Sequence, residues 1–127
     1  MVGFVIETKF DESRLLARWK SACSNAAAGL GDAIRDDCEI YVPYDTGTLC
    51  RSVRRGAVLQ TDDRVGCDVI WSAPYASAVY YGDLRGIRYH TEHHPHARAR
   101  WFDGALASCG DAWLSGVRAV VRDGMET

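Results

Sequence analysis

Three groups of residues in this sequence have types and spacings that chemistry could use. The first is Asp45-Thr46-Gly47. In aspartic proteases such a triplet presents a carboxylate that shares a proton with a twin, across a dimer or between lobes. A short chain carrying one triplet could complete the pair by dimerising. The flanking residues argue otherwise. An aspartyl site follows an apolar strand, whereas Pro43 and Tyr44 follow a long helical pattern, and no second glycine-centred apolar segment is present. Pro43, Asp45, Thr46 and Gly47 instead have the composition of a turn closed by its own side chains.

The second group is His90, His93, His94 and His96. Imidazoles are common metal ligands. His93 and His94 are adjacent, however, so their side chains diverge in any regular structure. There is no His-Glu-x-x-His pattern, and the cysteines lie far off in sequence. A hydrated loop is the expected setting, with no metal or other cofactor. The third group is aromatic: Trp71, Tyr75, Tyr80 and Tyr81, followed by Trp101, Phe102 and Trp113. Tyr and Trp favour protein interfaces because they join a large apolar area to a polar tip. The tryptophans fall on periodic faces and are expected in the core. Tyr80 and Tyr81 are neighbours and cannot both point inward from a helix, so at least one faces solvent or a partner.

These groups must be held by regular elements, and the periodicities name them. MVGFVIETKF, residues 1–10, reads as a strand. Asp11 caps a helix whose apolar face runs through Leu15, Leu16, Trp19, Cys23, Ala26, Ala27, Leu30, Ile34, Cys38 and Tyr41. Gly29 and Gly31 weaken its middle, and Pro43 ends it. Asp45 or Thr46 then caps a short helical turn that brings Leu49 into the core. Alternating residues from Val53 to Gln60 and from Val65 to Ser72, around the polar turn Thr61–Arg64, predict an antiparallel hairpin. Pro74 opens a two-turn helix that stops at Gly82. Residues 83–94 read as a loop. A last helix starts at Pro95, buries Trp101, Ala105, Cys109, Trp113, Val117 and Val120, and is widened by Phe102, Leu106 and Val121, with Gly124 as its stop. The expected fold is one α+β domain over residues 1–127.

Composition bounds the function. The chain has 127 residues, 47% hydrophobic and 25% charged, which is ordinary for a single folded domain. Fifteen basic and seventeen acidic side chains leave a net charge of −2, far from the basic excess of a nucleic-acid coat. Five cysteines with no Cys-x-x-Cys pair suggest neither a disulfide framework nor a zinc ribbon, and buried free thiols are expected. No apolar run reaches the length of a membrane span, so the protein is expected to be made in a cytoplasm.

Taken in order, Val42-Pro43-Tyr44-Asp45-Thr46-Gly47-Thr48-Leu49-Cys50-Arg51-Ser52, a hairpin, then Ala73-Pro74-Tyr75-Ala76 running to Tyr80-Tyr81-Gly82 resemble a known pattern. It is that of the minor capsid or tail-completion (neck) proteins of long-tailed double-stranded DNA phages. His94-Pro95 through Trp101-Phe102-Asp103 and Ala105 resembles the start of the same family's last helix. Cys50 stands where that family often has a basic residue, with Arg51 next.

The resemblance implies a structural virion protein of the head-to-tail junction rather than an enzyme, made in the host cytoplasm. It implies a ring, six- or twelve-fold in such families, seated between the portal or connector side and the tail, with DNA passing through without sequence recognition. On this reading Pro43, Asp45, Thr46, Gly47 and Leu49 lock the long helix to the hairpin. Residues 74–90 face a neighbouring subunit, with Tyr75, Tyr80, Tyr81, Arg85, Tyr89, His90 and His93 as interface candidates. A small metal-dependent or aspartic-type hydrolase and a small regulatory binding module are the competing classes.

Overall fold

The computed structural model describes residues 12–43, 47–61, 64–82 and 96–126. The expected leading strand, the Asp11 cap and the whole of the loop at 83–94 lie outside them. Within them the chain forms α1 (Glu12–Cys38), a 3-10 turn (Glu39–Tyr41), α2 (Thr48–Arg51), β1 (Val53–Arg55), β2 (Leu59–Gln60), β3 (Val65–Gly66), β4 (Val69–Trp71), α3 (Ala76–Tyr81) and α4 (Trp101–Met125). The fold is α+β: two long helices, a small antiparallel sheet and short connecting helices.

α1 is the spine, 27 residues long, or about 40 Å at 1.5 Å per residue. It passes unbroken through Gly29 and Gly31, tightens into the 3-10 turn, and stops where Val42 turns extended (ψ 129°) ahead of Pro43, as a residue before proline must. α4 runs antiparallel along one side of it. Arg18 Nη2 donates to the Met125 carbonyl at one end, and Tyr41 Oη meets Ser108 Oγ at 2.8 Å near the other. Glycines set how closely the two helices approach. A Cβ at Gly124 would fall 2.8 Å from that of Ala22, and one at Gly104 would fall 2.9 Å from the Tyr41 ring. Gly124 therefore serves helix contact rather than the expected helix stop, and α4 continues to Met125.

The hairpin lies on another side of α1. β1 pairs antiparallel with β4, Val53 opposite Trp71 and Arg55 opposite Val69. β2 pairs with β3, Leu59 opposite Gly66. Between the two ladders residues 56–58 face only 67 and 68, so the first strand carries one extra residue. The hairpin is real, but it is broken there by a bulge-like offset. That extra residue is why the alternation from Val53 to Gln60 reads as imperfect. Three contacts fasten the hairpin to the helix: Arg55 Nε to Asp32 Oδ1 at 2.7 Å, Cys67 Sγ to the Ala27 carbonyl, and Gln60 Nε2 to the Lys20 carbonyl.

The core gathers where the C-terminal end of α1 meets α2, α3 and the first half of α4. Cys38, Val42, Leu49, Ala76, Trp101 and Ala105 are all buried there. Two expected faces are narrower than the spacing suggests. Leu16 (52% exposed) and Trp19 (39%) stand out from the first turns of α1, and Leu106 and Val120 are exposed on α4. A two-helix layer buries only the stripe along its seam, so residues a third of a turn away remain in solvent. The last helix also begins at Trp101 rather than Pro95, with Arg100 in its capping position.

Candidate interaction surface

The turn comes first. Gly47 occupies the N-cap of α2 with left-handed angles (φ 84°) and no side-chain cap hydrogen bond. The capping position expected for Asp45 or Thr46 is thus taken by glycine, since only a residue without Cβ enters that region freely; Asp45 and Thr46 themselves lie outside the described residues. Leu49 follows at 4% exposure. Ser52 closes the turn, its Oγ donating to the Leu49 carbonyl at 2.7 Å. Pro43, Gly47 and Leu49 thereby carry the chain from the end of α1 to the start of β1. Here a thiol stands in for the basic residue of the resembled family: Cys50 Sγ lies 3.8 Å from the Pro43 carbonyl.

The aromatic group assembles around Trp101, which is 2% exposed. Tyr80 meets its indole edge-on at 4.6 Å and 90°. Trp71 does so from the hairpin at 5.5 Å and 67°. Tyr80 in turn holds Tyr81 edge-on at 5.0 Å. Tyr81, 51% exposed, is the outer member of the group, and the Arg100 guanidinium lies 5.1 Å from its ring centroid; Tyr75, at the start of α3, is also exposed. The adjacent tyrosines divide as helix geometry demands: Tyr80 turns inward and Tyr81 outward. Gly82 in the left-handed region (φ 69°) caps α3 and returns its N–H to Val79.

Arg100 is a site residue that sequence reasoning missed. It is the one described non-glycine residue with positive φ (φ 50°, ψ 53°), a conformation that costs an L-residue roughly 1–2 kcal/mol. Its N–H donates to the Tyr80 carbonyl at 2.7 Å, and its own carbonyl accepts from Asp103 N–H. The strain ties α3 to the head of α4 and places a cation on the exposed tyrosine. No local sequence signal marks it. The adjacent tyrosines are the hint, because one of them must face outward and a guanidinium gains by lying over such a ring.

The thiols are placed for packing rather than attack. Burial, with the nearby Asp37 and Cys109, pushes the Cys38 thiol up to about 12. Burial also raises Cys50 and Cys23. A thiol is nucleophilic only as thiolate, so these three are inert near neutrality. Among the described residues no three His, Cys, Asp or Glu side chains converge as a metal site. His96 is exposed, its ring 6.0 Å from that of Tyr41. Arg85, Tyr89, His90 and His93 lie outside the described residues. No described helix is long and apolar enough to cross a membrane. The described surface carries a fixed aromatic cluster with Tyr81 and Arg100 outermost.

Comparison with known proteins agrees with that character. The family described as minor capsid protein matches residues 13–120. No curated protein and no solved structure matches.

Proposed function

The chain belongs to the minor capsid protein family, a structural component of the phage particle, and on that premise we propose that it joins head to tail as a ring component of the neck. The observation that carries the reading is the Tyr81 and Arg100 surface. It is exposed, yet it rests on the buried Trp101 through Tyr80. An aromatic contact that is already ordered loses little entropy when a partner covers it, which favours repeated docking around an axis.

In such a ring each copy presents two dissimilar patches to its neighbours, as closure about an axis requires. Residues 74–90 form one of them. The exposed edges of the hairpin supply the other, since each short ladder leaves backbone groups open for strand addition. Interfaces of about 800 Å² per partner would suffice for a stable assembly. Portal or connector proteins lie on one side and tail proteins on the other. DNA passes through the channel without base recognition, in keeping with the net charge of −2.

The test is genetic. Tyr81→Ala, or a deletion within residues 83–94, should yield filled heads beside separate tails in electron micrographs of the lysate. Complete infectious particles from both variants would refute the placement at the junction. Tyr81→Ala removes an exposed side chain, so the folded chain should persist in the lysate at its normal level.

A further inference from the structure

α4 carries an apolar stripe that the fold leaves in solvent. Leu106, Gly110, Leu114, Val117 and Val121 follow one another at steps of four, four, three and four, which confines them to about 80° of the helix. α1 meets α4 elsewhere, through Gly104, Ser108, Trp113 and Gly124. Leu106 and Leu114 are accordingly 47% and 49% exposed, and the other three are half-buried. Gly110 has no evident role within one copy. A Cβ there would meet only the Leu106 side chain, at 3.1 Å and one turn back on the same helix, yet a glycine weakens a helix interior. What it permits is a close approach from outside.

Two charges flank the stripe on one side. Asp111 and Arg118 are seven residues apart, about two turns, so they lie on one line along the helix. Both are exposed. Arg122, one turn on, is paired with Asp123 and Glu126. Asp111 and Arg118, by contrast, have no hydrogen-bond or ion-pair partner among the described residues.

We propose that two copies of this chain pair through their α4 helices, antiparallel, about a two-fold axis between Leu114 and Ser115. In that register Asp111 of each copy stands level with Arg118 of the other, on the same flank of the seam. The same register meshes the apolar stripes. At 1.5 Å per residue the side chains of the two copies alternate about 3 Å apart along the seam. Leu106 is followed by Val121 of the second copy, then Gly110, then Val117 of the second copy, and the two Leu114 side chains meet at the axis. Gly110 thus lies between two valines of the second copy, where a larger residue would hold the backbones apart. Charge and packing point to one register independently, since the spacing of Asp111 and Arg118 does not oblige the stripes to interleave there. A parallel copy in register would set each charge level with its own like. The contact is isologous and closes at two copies. It uses neither residues 74–90 nor the hairpin edges, so it does not depend on the junction reading. Helices touching over about 23 Å bury on the order of 400 Å² each, which places the pair in the weak, transient class.

For a dissociation constant of about 10 µM, sedimentation velocity of the purified chain in a reducing buffer should show monomer at about 1 µM and dimer at about 200 µM. Asp111→Arg or Arg118→Asp, each at an exposed position, should weaken self-association at least about tenfold by setting like charges together. An equimolar mixture of the two variants restores both pairs and should recover the dimer, seen by native mass spectrometry as a hybrid of the two masses. Circular dichroism of each variant confirms that it is folded. A wild-type chain that stays monomeric at the higher concentration would overturn the proposal. So would single variants that dimerise like the wild type, or a mixture that stays monomeric.

Discussion

Trp101 and Trp113 sit on one helix and are both buried, yet their indole nitrogens meet opposite fates. Trp113 Nε1 donates to Asp37 Oδ2 at 2.6 Å, a charge-assisted bond worth roughly 1.5–3 kcal/mol. Trp101 Nε1 is buried without a hydrogen-bond partner among the described residues. The aromatic contacts of Trp71 and Tyr80 outweigh that orphaned donor. Replacing each by Phe separates the two cases. Trp113→Phe leaves the Asp37 carboxylate without its donor, whereas Trp101→Phe removes an unsatisfied N–H together with some packing. The first should cost at least about 1.5 kcal/mol more than the second, measured as the difference in unfolding free energy from urea midpoints. Periodicity alone places both tryptophans in the core. It cannot show which of them finds a carboxylate, because Asp37 comes from a helix far away in sequence and only the α1–α4 crossing brings it there.

At the scale of elements, two glycines two residues apart in α1 have contrary roles. A Cβ at Gly31 would lie 2.7 Å from both Arg55 Cδ and Cys67 Sγ, and Arg55 is held in place by Asp32. Gly31 is therefore where the hairpin touches the helix. Gly29→Ala should raise stability by about 1 kcal/mol through helix propensity, read from urea midpoints. Gly31→Ala gains the same propensity but must push the hairpin away, and should lose about 1–2 kcal/mol net. From the sequence the two look alike, each a weak point in a helix, because the difference lies in a contact with residues more than twenty positions on. Helix periods, the Pro43 stop and the Gly82 cap were legible because they are local physics. The start of α4 was not. Pro95 is a good first helical residue by type, but Arg100 bonds to Tyr80, and that tertiary contact sets the beginning at Trp101. The outward face of Tyr81 followed from its adjacency to Tyr80, while the arginine above it did not.

For the molecule as a whole, burial holds several weak acids protonated to higher pH than in the unfolded chain, and this gives the fold a pH limit on the alkaline side. Cys38 is raised to about 12; Cys50, Cys23 and Tyr80 are raised as well, each chiefly by burial. In the unfolded chain these thiols titrate near 8.5 to 9. The folded state therefore holds protons that the unfolded state has released, and stability falls as pH rises through that window. The stabilisation is complete below the unfolded value, so the profile is flat with respect to these groups near neutrality. Above about pH 9 the slope from Cys38 alone approaches roughly 1.4 kcal/mol per pH unit at its steepest, and it ends where the folded thiol itself ionises. Urea unfolding in a non-thiol reductant at about pH 8 and 10.5 should show this loss, and Cys38→Ala, compared with wild type at both pH values, should reduce its slope. The comparison is internal to each variant, so the cavity that Ala leaves lowers both measurements alike. A slope unchanged by Cys38→Ala would mean that the thiol ionises in the folded chain as readily as in the unfolded one. The end of α1 would then be open to water rather than sealed against Trp101 and Ala105, and the rigid support beneath the exposed tyrosines would be lost with it.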